Sequence, residues 1–189
     1  MANSLWDKIE QRTRVPVHIF NIAIDAVSNA LITIDFPHHE VHEGHAYECS
    51  VYDSSVANLG TLILGFTIPA GVAAHLAYDG GAGGDATLEF LEGPTFAGGT
   101  PQPVYNLNRN HPDSAVAALL DPTLGGTPTT LQATFLPGGS GPQAQGTVVS
   151  PRAGLEWITR PATTYAVRLT NLSGQAQPAN IRIAFYIPD

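Results

Sequence analysis

Charge is scarce in this chain of 189 residues: Asp, Glu, Lys and Arg make up 13% of it, about half of the ~25% usual in a globular domain. Lys and Arg are missing altogether from Val15 to Asn108, a stretch that carries Asp25, Asp35, Glu40, Glu43, Glu48, Asp53, Asp79, Asp85, Glu89 and Glu92. Such a surface repels phosphate, so a nucleic-acid partner is not expected. Cysteine is almost absent as well. Cys49 stands alone, which rules out an internal disulfide and leaves stability to packing or to association with other chains. No apolar run approaches the ~18 residues of a membrane helix, and no membrane partner is expected. The opening Met-Ala-Asn-Ser-Leu-Trp-Asp-Lys puts carboxylates and an amide where a signal peptide has a basic and then an apolar region, so secretion by the standard route is not expected.

What the chain does have is apolar content and turns. Hydrophobic residues reach 43%, with 19 Gly and 15 Pro, which describes a folded, turn-rich chain long enough for one well-packed domain. Ser4 to Arg14 reads as a short helix, with Ser4 as N-cap, Asp7 in capping-box position, and Leu5 and Ile9 one turn apart. Pro16 ends it, so residues 1–16 read as an N-terminal arm and 17–189 as a single β domain. From Val17 onward the period is two. Ile32, Ile34 and Phe36 alternate with polar neighbours, as do Tyr47, Cys49 and Val51, then Leu62, Leu64, Phe66 and Ile68. Leu76 and Tyr78, with Leu88 and Phe90, flank a Gly80 to Gly84 turn, and Leu131, Ala133 and Phe135 form a further inward set. Tyr165, Val167 and Leu169, then Ile181, Ile183, Phe185 and Ile187, close the series. Eight or so short strands with almost no helix between them predict an all-β fold, an antiparallel sandwich or barrel. The connections Gly93 to Asp113, Asp121 to Pro128 and Pro137 to Gly154 read as long loops, where such folds carry their contacts.

Three motifs invite chemistry. His38-His39-Glu40-Val41-His42-Glu43-Gly44-His45 is dense in metal-ligating types. In an extended segment, however, no face holds more than two histidines, and the His-x-His of a cupin-like metal enzyme is missing; a structural role is expected, with no metal and no cofactor. Gly80-Gly81-Ala82-Gly83-Gly84 lacks the Lys-Ser/Thr of a phosphate loop and is flanked by Asp79 and Asp85, so it reads as a hairpin connection. Asn106-Leu107-Asn108-Arg109-Asn110-His111 concentrates amides that bind sugar hydroxyls or structure their own loop; the second, or an inter-subunit contact, is the expectation. Asn171-Leu172-Ser173 reads as the polar turn between the last two strands, and Cys49 as an inert core thiol. No nucleophile stands in a recognisable elbow context, so no catalytic residue and no enzymatic activity are expected.

Taken together, His39-x-x-His42-x-Gly44-x-x-Tyr47, Leu91-Glu92-Gly93-Pro94-Thr95, Tyr105-Asn106-x-Asn108-Arg109-Asn110, Gly154-x-Glu156-Trp157-Ile158 and Tyr165-x-Val167-Arg168-Leu169-Thr170-Asn171 resemble a group of small structural proteins of tailed bacteriophages. The resemblance runs from about Pro37 to the C-terminus. It implies a capsid decoration, or cement, protein: a jelly-roll-like β-sandwich on the exterior of the virion head, made in the host cytoplasm and bound to the major capsid protein. A homo-oligomer, trimer or dimer, is expected with it. A cement protein has to add contact area across neighbouring subunits. The expected contact residues are Leu5, Trp6, Lys8, Ile9, Arg12 and Arg14 of the arm, with Tyr105, Asn106, Asn108, Arg109 and Asn110 of the amide loop. The alternative reading is a carbohydrate-binding or receptor-contacting fibre or tail module that uses the same loop.

Overall fold

A computed structural model describes residues 36–139, 146–149 and 156–188. The arm at residues 1–16, its helix, and the strand residues before Phe36 lie outside the described residues. The first described element corrects the sequence reading: Phe36 starts an α-helix, α1 (Phe36–Glu43), instead of ending a strand. Pro37 sits in its first turn, where a missing N–H costs nothing. Gly44 ends it with φ of +80°. The His45 amide bonds back to the Glu40 carbonyl at 2.9 Å and the Gly44 amide to Val41 at 3.2 Å, a Schellman closure that favours glycine.

Strands follow almost without interruption. The longer ones are β1 (Ala46–Val56), β2 (Thr61–Thr67), β3 (His75–Ala82), β4 (Ala86–Glu92), β10 (Thr129–Leu136), β13 (Thr164–Asn171) and β14 (Gln177–Tyr186). The shorter ones are β5 (Thr95–Ala97), β6 (Thr100–Gln102), β7 (Tyr105–Asn106), β8 (Ala117–Leu120), β9 (Thr123–Gly125), β11 (Thr147–Val149) and β12 (Trp157–Ile158). All pair antiparallel. Sheet I has the order β11-β3-β14-β1-β7, with β12 also on β3; sheet II has the order β10-β4-β13-β2-β8-β6; β5 and β9 form a separate ribbon.

The expected inward sets of β2, β13 and β14 hold. Leu62, Leu64, Phe66 and Ile68, Val167 and Leu169, and Ile181 and Ile183 are wholly buried. With Cys49, Val51, Leu76, Tyr78, Leu88, Phe90 and Tyr165 they form one apolar cluster drawn from both sheets. Phe90 of β4 lies between aromatic neighbours, 4.9 Å from Tyr78 and 5.6 Å from both Tyr165 and Trp157 between ring centres. Burial of each such side chain contributes about 1.5–3 kcal/mol. Cys49 is the expected buried thiol, and burial, with the Glu48 charge, pushes its pKa up to about 11.

Two expectations fail and one gains detail, for reasons the pairing makes plain. Gly80 to Gly84 is no hairpin turn: Gly80 and Gly81 belong to β3, and the chain then passes from sheet I to sheet II. Gly80 is small because a Cβ there would stand 2.7 Å from Leu88 Cδ1. Second, Asn171-Leu172-Ser173 does lead from β13 to β14, but the two strands lie in different sheets, each set between two earlier strands. Asn171 accordingly ends β13 as a buried residue whose Nδ2 donates to the carbonyls of Val56 at 2.8 Å and Gln175 at 2.7 Å. Third, the Leu131-Ala133-Phe135 face is broken by a register shift between Thr130 and Gln132. Beyond the shift the inward position is taken by Leu136, fully buried, while Phe135 is 54% exposed. Two of the connections read as long loops, Gly93 to Asp113 and Asp121 to Pro128, carry the short strands β5, β6, β7 and β9 between stretches of loop.

The two sheets differ in what covers their outward sides. On sheet II a Cβ at Gly65 would stand 2.9 Å from the Phe96 ring and from Pro122, and Ala166 and Leu91, in the same row, are buried. The ribbon segment therefore covers that row of sheet II.

Candidate functional site: the open face of sheet I

Outward residues on sheet I fall into rows set by register. Ala46, Tyr186 and His75 stand side by side, with Ile158 next to His75; Glu48, Ala184 and Ala77 follow, with Tyr105 beside Glu48. Ser50, Arg182 and Asp79 form the third row, and Tyr52, Asn180 and Gly81 the fourth, with Val148 beside Gly81. The centre combines the small Ala184, Ala77 and Ser50 with the charged Glu48, Arg182 and Asp79. The rim is apolar: Tyr52 is 66% exposed, Tyr105 49%, Leu107 45%, Val148 68% and Ile158 65%. These are five of the eight large, exposed hydrophobic residues among those described, so apolar exposure concentrates on this face. Singly scattered apolar residues signify little, whereas a grouped set marks a surface that docks.

One ion pair crosses the centre. Arg182 Nε donates to Asp79 Oδ2 at 2.9 Å, and its Nη1 lies 3.6 Å from Glu48 Oε2. The Asp79 hydrogen bond, against some desolvation, holds the guanidinium above its usual pKa. The guanidinium is therefore charged at any physiological pH, and the centre of the face carries fixed polarity.

A second polar group occupies the corner beneath α1. Glu156 Oε2 accepts from Tyr186 Oη at 2.8 Å and lies 2.9 Å from His75 Nδ1; Tyr186 Oη is 3.1 Å from that nitrogen, and the two rings stack at 4.7 Å. Burial, then the Glu156 hydrogen bond and the charges of Glu156 and Glu40, push the Tyr186 hydroxyl up to about 12. It stays protonated and acts as a donor, which suits binding and not nucleophilic attack. With Pro37, Val41, Leu107 and Phe185 these residues line a hollow of about 190 Å³. Glu156 enters the sequence reading only within the Gly154-x-Glu156-Trp157-Ile158 motif, and nothing there joins it to His75 or Tyr186, whose separations of 81 and 30 positions from it form no motif. The outward parity of Tyr186 was the available signal.

The amide loop lies at the other edge, and its side chains divide into two groups. Asn106, in β7, is buried; its Nδ2 donates to the Gly44 carbonyl at 2.7 Å and to Pro112 at 3.0 Å, and its Oδ1 accepts from the Asn108 amide at 2.8 Å. Asn108 Nδ2 donates to the His42 carbonyl at 3.0 Å, while its Oδ1 accepts from the Asn110 amide at 3.2 Å. These amides hold the loop and the end of α1 together. Asp113 Oδ1 accepts from the Asn106 amide at 3.0 Å and from Arg109 Nη1 at 2.7 Å, and these two bonds hold its carboxyl below the usual range. Tyr105 and Arg109 instead turn to the surface, the guanidinium carbon 5.0 Å from the ring centre. They border a hollow of about 420 Å³ with Glu48, Ser50 and Gln102.

Leu5, Trp6, Lys8, Ile9, Arg12 and Arg14 lie outside the described residues. The histidine segment is helical, not extended, which changes the facing of its side chains: His38 and His42 share one side of α1, and His39 and Glu43 another. No three or more His, Cys, Asp or Glu side chains among the described residues converge on a point. Comparison with protein-family models, with curated proteins and with solved structures finds no match.

Proposed function

We propose that this chain is a jelly-roll β-sandwich that serves as a structural protein of a tailed-phage virion, decorating the outside of the head and docking to the major capsid protein through the open face of sheet I. The fold reading rests on strand order. Numbered one to eight along the chain, β1, β2, β3, β4, β10, β11, β13 and β14 stand in the orders 6-3-8-1 and 5-4-7-2. Rolling one long antiparallel ribbon into two facing sheets produces this order.

The functional reading is carried by one observation: five of the eight large exposed apolar side chains among the described residues gather around the outward face of sheet I, while the chain itself covers the Gly65 row on the outward side of sheet II. Five strands and four rows span about 500 Å² in projection. That is the order of one partner's share in a standard interface, ~800 Å². A broad flat contact suits a protein that reinforces a shell, and on this reading it acts without catalysis, in two or three copies at each shell site. The hollow beside Tyr105, with its aromatic ring next to Glu48, Ser50 and Gln102, favours a second reading, a glycan-contacting module of the fibre or tail.

Quantitative mass spectrometry of purified particles separates the two. Copy number comparable with the major capsid protein supports head decoration. A few copies per particle, with glycan-array binding lost on Tyr105→Ala, moves the protein to a fibre or tail, and absence from the particle overturns both.

A further inference from the structure

Helix α1 sets His38 and His42 one turn apart on an exposed side, with Nε2 atoms 2.9 Å apart and rings stacked at 4.8 Å, 18° from parallel. Two neutral imidazoles at this separation either share one N–H, or turn both Nε2 lone pairs to a common acceptor. The spacing fits both arrangements, and the second is the one a metal ion can use. Two nitrogens bound at the ~2.0–2.1 Å usual for imidazole and meeting at a right angle stand about 2.9 Å apart, whereas a tetrahedral angle requires about 3.3 Å. Right-angled ligand pairs belong to square-planar and octahedral ions.

We propose that His38 and His42 form a two-imidazole chelate for a divalent transition ion, copper(II) before nickel and nickel before zinc. Water completes the coordination shell, since no third side chain among the described residues joins the pair. The neighbouring pair on α1 is chemically different: His39 lies 3.6 Å from Glu40 and 3.9 Å from Glu43, an imidazole already turned to carboxylates.

The ion acts on the helix. His38 and His42 converge only when the turn between them is helical, so binding stabilises α1 over every unwound form. At eight residues α1 is below the ~12–15 that hold a helix without tertiary support. Its Pro37 and Val41 wall the hollow lined by His75, Glu156 and Tyr186. An ion at His38 and His42 therefore firms one wall of the open face, whatever docks there.

Isothermal titration of the untagged full chain with copper(II) and nickel(II) chlorides tests this, with His38→Ala, His42→Ala and His39→Ala in parallel. Metal-free urea midpoints check that each variant keeps its fold, which the exposed positions of His38, His39 and His42 on α1 permit. The expected result is one equivalent bound by the wild type and by His39→Ala, at least tenfold weaker binding in either partner variant, and two nitrogen couplings in the copper spectrum that fall to one. Absence of binding at millimolar ion overturns the proposal. So does wild-type affinity in His42→Ala, which places the ion elsewhere, or an equal loss in His39→Ala, which makes the effect one of general helix loosening.

Discussion

Tyr78 buries a phenol at 5% exposure, and its hydroxyl finds no hydrogen-bond partner among the described residues. Tyr165, in the same cluster, is the built-in contrast: its hydroxyl accepts from the Arg160 amide at 2.8 Å and donates to Glu92 at 2.9 Å. Leaving a buried hydroxyl unsatisfied costs about 1–3 kcal/mol. Tyr78→Phe removes that cost while keeping the ring against Phe90, so it should stabilise the protein by about 1–2 kcal/mol and raise Tm by roughly 2–8 °C. Tyr165→Phe should do the reverse, losing about 1–2 kcal/mol. The alkaline limb sharpens the test. Burial pushes the folded-state pKa of Tyr78 up to about 12 from the ordinary 10.0. Its contribution is complete below pH ~10 and is lost as pH climbs toward the folded value, because the unfolded chain releases the proton first. By pH 11 that loss is about 1.4 kcal/mol in the wild type and zero in Tyr78→Phe. Urea titrations followed by tryptophan fluorescence at pH 7 and pH 11, with equal m-values, should show the advantage of the variant growing by that amount. A destabilised Tyr78→Phe, or an advantage equal at both pH values, would refute the reasoning.

Two other perturbations follow from the same close packing. Gly80→Ala should cost about 1–3 kcal/mol through the contact with Leu88; combining it with Leu88→Ala, and closing the double-mutant cycle by urea titration, should return a coupling energy near ~1 kcal/mol in favour of the pair. Asn106→Ala strips donors from the Gly44 and Pro112 carbonyls and should cost about 2–3 kcal/mol. Hydrogen exchange checks it, with the His45 and Leu107 amides, which close α1 and tie the loop to β1, losing protection first.

Alternation made the inward faces of β2, β4, β13 and β14 readable from sequence, because each buries one side and its residues obey a period of two. Partner choice was not readable. Adjacent strands in sequence pass to opposite sheets, so no short turn announces a pairing. Phe135 was misplaced by a single extra residue upstream, which inverts the parity of everything after it. Helix α1 escaped notice because Phe-Pro-His-His-Glu-Val-His-Glu has no apolar stripe, although Gly44, its terminator, was visible in the sequence. The open face is a property of rows that cross strands. Nothing in the sequence brings Tyr52, Tyr105, Val148 and Ile158 together; register sets them around Ala77 and Ala184. Tyr105, Asn106, Asn108, Arg109 and Asn110 were legible as a group, but their division into loop-holding amides and outward side chains was not.

The placement of β13 and β14 in the middle of both sheets has a kinetic consequence. As the chain leaves the ribosome, β1 through β4 emerge long before the strands that must lie between them, and neither sheet can close until residues 164–186 arrive. Contacts of such sequence separation make folding slow, and the waiting strands have open edges throughout. A message cut short before that segment would yield a product lacking the middle of both sheets and prone to stick to its neighbours.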